Sequence, residues 1–226
     1  MKRSEINRII KDAKIFFNEM KFKIPPVAYW KPEELRAGGM ELREILDVGI
    51  GWDLTDFGSG DFKKKGLLLF TLRNGSLTDL HYPKTYAEKI MIVEEGQLTL
   101  THYHWNKTED IINRGGGNLI IKLHNTTKDN LLDDTPVSVS KDGVKYILPA
   151  GSEVKLEPGE SITLTAGLYH SFWGEPGKGR VLVGEVSAVN DDHTDNCFLE
   201  PQLRFPNIEE DEPPVHLLVS DYPKSV

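Results

Sequence analysis

The run Gly96-Gln97-Leu98-Thr99-Leu100-Thr101-His102-Tyr103-His104-Trp105-Asn106-Lys107-Thr108-Glu109, with Gly116 downstream, decides how the rest of the chain is read. Its first half alternates polar and apolar residues, the two-residue period of a strand with one buried face. His102 and His104 stand at i and i+2, so the spacing turns both imidazoles into one space. Trp105–Thr108 can turn and bring Glu109 back to the same region. Two imidazoles and a carboxylate form the mixed nitrogen and oxygen set that suits Mn, Fe, Co, Ni or Zn. His170, after Thr165-Ala166-Gly167-Leu168-Tyr169, is the candidate fourth ligand, from a distant strand. A His-x-His pair alone is equally well two polar residues on a wet strand face, so the wider spacing has to decide.

Outward from this run, short apolar or alternating segments recur. They are Gly66–Arg73, Lys89–Glu94, Gln97–His104, Asn118–Leu123, Val137–Ser140, Val144–Leu148, Ser152–Leu156, Glu160–Thr165, His170–Trp173 and Arg180–Val186. Turn signals such as Glu94-Glu95-Gly96, Lys141-Asp142-Gly143 and Glu157-Pro158-Gly159 separate them. Many short strands with regular turns predict an all-β sandwich or barrel. Residues 4–22 read instead as an amphipathic helix: Ile6, Ile9, Ile10, Ala13, Phe16, Phe17 and Met20 share a face, Ser4 is the expected N-cap, and Pro25-Pro26 ends it. Short helices are expected from Pro32 to Gly38 and over Glu41–Asp47, and Gly49–Gly60 reads as irregular and turn-rich. The expected organisation is one domain over 1–226: a helical extension over 1–60, a β-barrel core over 61–190, and a tail over 191–226 packed on the barrel. Glu209-Glu210-Asp211-Glu212 in that tail reads as a solvated acidic turn.

Composition narrows the chemistry. The chain has 226 residues, 27 Lys and Arg against 35 Asp and Glu, a net charge of −8 and one cysteine. The acidic balance argues against nucleic acid as a partner, which needs a basic face. A lone Cys197 excludes thiolate metal clusters and an intrachain disulfide, and it reads as a small buried apolar residue. No apolar run approaches the ~20 residues of a membrane span, and the N-terminus lacks a signal peptide's apolar core. The expectation is a soluble cytoplasmic protein whose site is built from His and carboxylates. His81, His124, His193 and His216 have no motif context and are expected to be non-ligands.

The spacing around the opening run resembles the cupin family. That family's first motif runs Gly, five residues, His-x-His, three or four residues, Glu, six residues, Gly, and Gly96, His102, His104, Glu109 and Gly116 match it throughout. The second motif is matched by Gly159, Gly167 and His170, with Thr165 at its Pro position and Gly174 at its Asn position. The resemblance implies a jelly-roll β-sandwich and a metal held by His102, His104, Glu109 and His170. The stretch 117–158 between the motifs is long for a cupin and is expected to hold three or four extra strands.

The whole chain further resembles the D-lyxose isomerase family, through Gly51-Trp52-Asp53-Leu54-Thr55-Asp56-Phe57-Gly58-Ser59-Gly60-Asp61-Phe62, Tyr86-Ala87-Glu88-Lys89, the His102–Glu109 stretch, Gly184-Glu185-Val186-Ser187, Asn190-Asp191-Asp192 and Arg204-Phe205-Pro206. That resemblance implies a Mn²⁺-dependent homodimeric aldose–ketose isomerase, with Co²⁺, Fe²⁺ or Zn²⁺ as other metals, acting on D-lyxose and D-xylulose and on D-mannose and D-fructose. Lys89 and Glu185 are the expected acid/base pair. Val181, Val183, Glu185 and Ser187 share one strand face, and a Glu among valines needs metal, water or substrate beside it. Lys89 is alternatively a solvated strand-end lysine. Trp105 and Trp173 flank His104 and His170 and are candidate aromatic walls for a sugar ring, or else core. Arg204 is a candidate for a distal hydroxyl, or else a structural ion pair. An Fe²⁺ dioxygenase and a non-catalytic sugar-binding cupin use the same four-ligand set and stay open at this stage.

Overall fold

Ile6, Ile10, Ala13, Phe16 and Phe17 recur at three- and four-residue spacing and are all buried on helix α1 (Arg3–Glu19). A computed structural model describes residues 1–192 and 194–222. Beyond α1 the chain forms α2 (Pro32–Ala37), which starts on its proline, and α3 (Arg43–Asp47), entered through a tight turn at Met40–Leu42. Among the described residues fourteen strands follow: β1 (Gly51–Thr55), β2 (Leu67–Arg73), β3 (Tyr86–Val93), β4 (Thr99–His104), β5 (Glu109–Gly116), β6 (Leu119–Thr126), β7 (Leu132–Asp133), β8 (Val137–Lys141), β9 (Val144–Leu148), β10 (Glu153–Leu156), β11 (Ser161–Leu164), β12 (Tyr169–Gly174), β13 (Val181–Ala188) and β14 (Asn196–Phe198).

The strands make two antiparallel sheets. One has eight strands in the order β1-β2-β3-β13-β5-β11-β8-β9, and the other runs β10-β6-β12-β4-β14 with β7 beside β6. All ten expected strand segments are strands, and the all-β class with a helical N-terminus holds. The inner face of the large sheet presents Leu69, Met91, Val93, Val181 and Val183 to Leu119, Ile121, Leu123 and Phe172 of the second sheet. Its outer face presents Leu68, Phe70, Ile90, Ile92 and Leu182 to α1. A sheet covered on both faces selects near-continuous apolar strands rather than strict alternation. Leu67-Leu68-Leu69-Phe70 and Ile90-Met91-Ile92-Val93 are such runs.

Trp52 fastens α1 to this outer face. It stacks on Phe17 at 6.1 Å, meets Phe70 edge-on at 5.1 Å, and donates its indole N–H to the Ala28 carbonyl at 2.9 Å. Burying side chains of this size contributes roughly 1.5–3 kcal/mol each. Trp52 also marks a correction. Gly49–Gly60 is not wholly irregular, because Gly51–Thr55 is the buried edge strand β1, paired with β2. The insertion between the motifs contributes the β8–β9 hairpin, which extends the large sheet, and β10 and β7, which flank β6.

The tail supplies two further corrections. Ser4 is not the N-cap; Lys2 takes that position and makes no side-chain cap. The acidic turn 209–212 is more than solvated surface, because it closes the helix N-terminus. Ser4 donates its backbone N–H and its hydroxyl to Asp211 at 2.9 and 2.6 Å. Arg3, 2 % exposed, forks onto Glu210 at 2.9 and 2.6 Å and also reaches Asp221. Carboxylates there satisfy unpaired N–H groups and complement the helix dipole. Among the described residues, no helix is long and apolar enough to cross a membrane.

Candidate active site

Three strand registers assemble the site. His170 on β12 lies opposite His102 on β4, and β14 places Phe198 opposite His102 and Asn196 opposite His104. In the facing sheet Glu185 on β13 lies opposite Lys89 on β3 and Ile111 on β5, while Ser187 lies opposite Glu109. The glycines around these strands answer a backbone demand. Gly116, for instance, has φ of +88°, and a Cβ there would meet the Arg180 carbonyl at 2.3 Å.

His102, His104 and His170 converge, with ring nitrogens within 4.8 Å of one another. Glu109 joins them: its Oε1 is 3.2 Å from His170 Nε2 and its Oε2 is 3.4 Å from His104 Nε2. His102 Nδ1 lies 2.7 Å from the Leu100 carbonyl and His170 Nδ1 lies 3.0 Å from the Leu168 carbonyl. Donating Nδ1–H to these carbonyls fixes the ring and leaves Nε2 as a lone-pair donor, the arrangement metal-binding histidines use. Burial, together with the neighbouring His170 and His104, pushes His102 well below the usual imidazole range, and burial also lowers His104. Neutral imidazoles are the form a cation binds. Burial would raise the Glu109 carboxyl, but Lys107 and His104 hold it well below the usual carboxylate range. Its Oε2 is buried without a hydrogen bond of good geometry among the described residues. Three converging imidazoles, two of them oriented through Nδ1 and the third, His104, with its Nδ1 unpartnered among the described residues, and an ionised carboxylate beside them fit a divalent cation.

The cavity over this cluster also holds Lys89, Lys107, Glu185, Asp192 and Arg204. Lys107, 2 % exposed, lies 2.8 Å from Glu109 Oε2 and 2.8 Å from Glu185 Oε1. Burial opposes its charge, but the two carboxylates outweigh that and raise its pKa. Lys89 is 3.5 Å from the same Glu185 oxygen and 3.9 Å from Asp192, and it donates to the Asn190 side chain. It is 4 % exposed and sits mid-strand, so it is not a solvated strand end. Glu185 is 5 % exposed, on the inward face it shares with Val181 and Val183.

Sequence reasoning did not single out Lys107, which lies in the loop between β4 and β5, two residues before Glu109. Asp53 was also not singled out; it reaches the site only by pairing with Arg204 across 151 positions. Asp195 holds the turn that carries Lys107, accepting the Asn106 and Lys107 backbone N–H groups at 2.8 and 3.2 Å.

The tryptophans are placed away from this cavity. Trp105 is 48 % exposed and meets Tyr103 edge-on at 4.8 Å. Trp173 is three residues past His170 on β12, on the opposite face of the sheet. The aromatic lining comes instead from Phe57, Phe172 and Phe198. Phe57 is held at φ of +53°, an uncommon left-handed conformation for a side chain of this size, and its backbone N–H is tied to Thr55 Oγ1 at 2.9 Å. Of the other histidines, His81, His124 and His216 lie outside the cluster, and His193 lies outside the described residues.

Comparison with known proteins agrees over the full length. The fold is shared with L-ribose isomerase from Cellulomonas parahominis bound to L-ribose, at a TM-score of 0.59 and 15% identity over 92% of this chain and 98% of that one. It is shared to a similar degree with the L-ribose isomerase of Acinetobacter sp. DL28 in complex with L-ribose, at a TM-score of 0.57 and 16% identity over 88% and 93%. A protein of Serratia proteamaculans named D-lyxose/D-mannose isomerase is 52% identical over 223 residues, covering 98% of both chains. One of Escherichia coli O157:H7 with the same name is 49% identical over 225 residues, again covering 98% of each. The D-lyxose isomerase family model matches residues 1–222, and this chain belongs to the D-lyxose isomerase family of sugar isomerases.

Proposed function

We propose that this protein is a metal-dependent aldose–ketose isomerase that interconverts D-lyxose and D-xylulose, and D-mannose and D-fructose, with His102, His104, Glu109 and His170 holding the cation. The observation that carries the reading is Glu185: a buried carboxylate in the same cavity as the three histidines, 2.8 Å from Lys107 and 3.5 Å from Lys89. Aldose–ketose exchange moves one hydrogen between C1 and C2. His102, His104, Glu109 and His170 would hold a cation whose Lewis acidity would favour loss of the hydrogen next to the sugar carbonyl. Glu185 takes the C2 proton of the aldose and returns it to C1. Lys89 handles the proton exchanged between the two oxygens. Lys107 balances the charges of Glu109 and Glu185 so that the two carboxylates can face one cavity.

D-Lyxose and D-mannose share the configuration at C2 and C3 and differ by one CH₂OH, so one cavity accepts both. The relatives named for both sugars support that pairing. The same reading takes Mn²⁺ as the resident cation, with Co²⁺, Fe²⁺ or Zn²⁺ as substitutes. It takes residues 1–226 as one cupin domain, assembled as a homodimer in the cytoplasm. Arg204 is a substrate-binding group in this reading; Trp105 and Trp173 are not.

The test is a panel of free aldoses and phosphorylated sugars incubated with metal-stripped protein resupplied with Mn²⁺, Fe²⁺ or nothing. Ketose should form from D-lyxose and D-mannose and only with metal. Oxygen consumption with Fe²⁺ and no ketose would place the protein among oxygenases. Sugar binding without turnover would make it a binding protein.

A further inference from the structure

The segment Gly51–Phe62 has no part in the isomerisation chemistry, yet it reaches the active-site cavity. Asp53 on β1 is 4 % exposed and accepts a hydrogen bond from Arg204 Nη2. The same nitrogen is 3.2 Å from Asp192 Oδ1. Asp192 in turn is 3.9 Å from Lys89, which is 3.5 Å from Glu185. Glu185 is 2.8 Å from Lys107, itself 2.8 Å from Glu109 beside the histidines. Seven charges therefore alternate in sign along one path, from Asp53 to the metal-ligating cluster. The order fixes which end is which: Glu109 stands against the histidines, and Arg204 is the cation farthest along the path from them.

Two atoms at that far end are unmatched. Arg204 Nη1 and Asp53 Oδ1 are buried and have no hydrogen-bond partner among the described residues. A buried guanidinium N–H that lacks an acceptor costs free energy unless a ligand oxygen provides one. Both carboxylates engage Nη2, which leaves Nη1 for something else in the cavity that Arg204 lines.

We propose that Asp53 is a positioning residue that orients the Arg204 guanidinium so that Nη1–H donates to the terminal hydroxyl of the sugar, making this end of the cavity the reader of terminal substitution. This rests on the isomerase reading, in which C1 and C2 of the sugar lie at the histidine cluster. The remainder of an extended aldose then runs along the charged path toward Arg204. A site built to hydrogen-bond a hydroxyl rejects the analogue that lacks it, because its own polar group is left unpaired.

The test compares D-mannose with 6-deoxy-D-mannose on the metal-loaded full-length protein, measuring kcat, KM, bound metal and, by calorimetry, Kd for both sugars. The wild type should prefer D-mannose by about tenfold or more, the size of one hydrogen bond to a charged group. Asp53→Asn should bring that preference close to unity, mainly through KM and Kd, with metal content unchanged. If Asp53→Asn does not fold, Arg204→Lys gives the same readout, since lysine keeps the charge between Asp53 and Asp192 but lacks the guanidinium fork. A preference as large in the variant as in the wild type, or no preference in the wild type, overturns the proposal. Absence of ketose from either sugar in the wild type overturns the isomerase reading instead, and the Kd ratio still decides the role of Asp53.

Discussion

The two ends of the cavity are built in opposite ways. The histidine end comes from regular strands: His102 and His104 two apart on β4, His170 in register with His102 on the neighbouring β12, and Glu109 opening β5 in the facing sheet. The Arg204 end comes from separate segments, β1, the stretch after β13 and the tail, whose charged groups meet through ion pairs. At the first end strand geometry places the groups, and at the second tertiary packing does. The histidine end should therefore carry the chemistry with little tolerance for change, and the tail end should tune which sugar is accepted.

The contrast is broken most severely from the histidine side. His102→Ala should lose bound metal and lower turnover on the order of 10³-fold or more, the loss of a Lewis acid worth several kcal/mol. Full metal occupancy in that variant would remove His102 from the ligand set. Lys107→Met should come next, because it leaves Glu109 and Glu185 buried without their shared cation. Removing one member of a buried ion pair costs about 3–5 kcal/mol. Chemical denaturation of the metal-free variant should show that loss, and an unchanged midpoint would mean Lys107 is dispensable to the charge path. At the tail end Asp53→Asn should shift sugar preference by about tenfold while leaving metal in place.

The smallest effect lies outside the cavity. His216 Nδ1 donates to the Trp30 carbonyl at 2.8 Å and Nε2 accepts from Lys14 at 2.7 Å. Burial lowers its pKa, with Lys14 adding to the shift and the Trp30 carbonyl and Glu34 opposing it. The unfolded chain therefore binds this proton more readily than the folded one. The contribution to stability is complete above the ordinary imidazole value of ~6.5 and is lost as pH falls from there through the folded value. Melting curves should fall more steeply between about pH 7.5 and 5.5 in the wild type than in His216→Gln, which can keep both hydrogen bonds without titrating. Parallel curves would show that this contact is not a source of acid sensitivity.

The same contrast sets how much could be read beforehand. The His-x-His pair and the inward face of Glu185 follow from period-two parity along a strand, and the return of Glu109 from the turn after His104, both local rules. Parity carried further would have corrected two expectations. Trp105 follows His104 directly, past the end of β4, and Trp173 is three past His170 on β12, so neither has the parity of the ligand beside it. Closeness in sequence to a ligand is not closeness in space when alternate residues face opposite ways. The partners of Arg204 were not legible, because Asp53 and Asp192 meet it through contacts spanning 151 and 12 positions that no local period encodes. Nor was the edge strand β1. Its glycine- and aspartate-rich surroundings carry turn propensity, and burial of Trp52 and Leu54 against α1 overrides it. The acidic turn of the tail is exposed, as read, but its capping role was not legible for a related reason: the Ser4 N–H at a distant helix terminus recruits Asp211.

Glu185 links the two ends, paired with Lys107 on one side and Lys89 on the other. The most direct test of the account is bound-metal stoichiometry and D-lyxose to D-xylulose turnover measured on one preparation of Glu185→Gln. The account predicts wild-type metal content with turnover reduced by about 10²- to 10⁴-fold, the range for loss of a general base. Turnover near the wild-type rate with metal bound would contradict it.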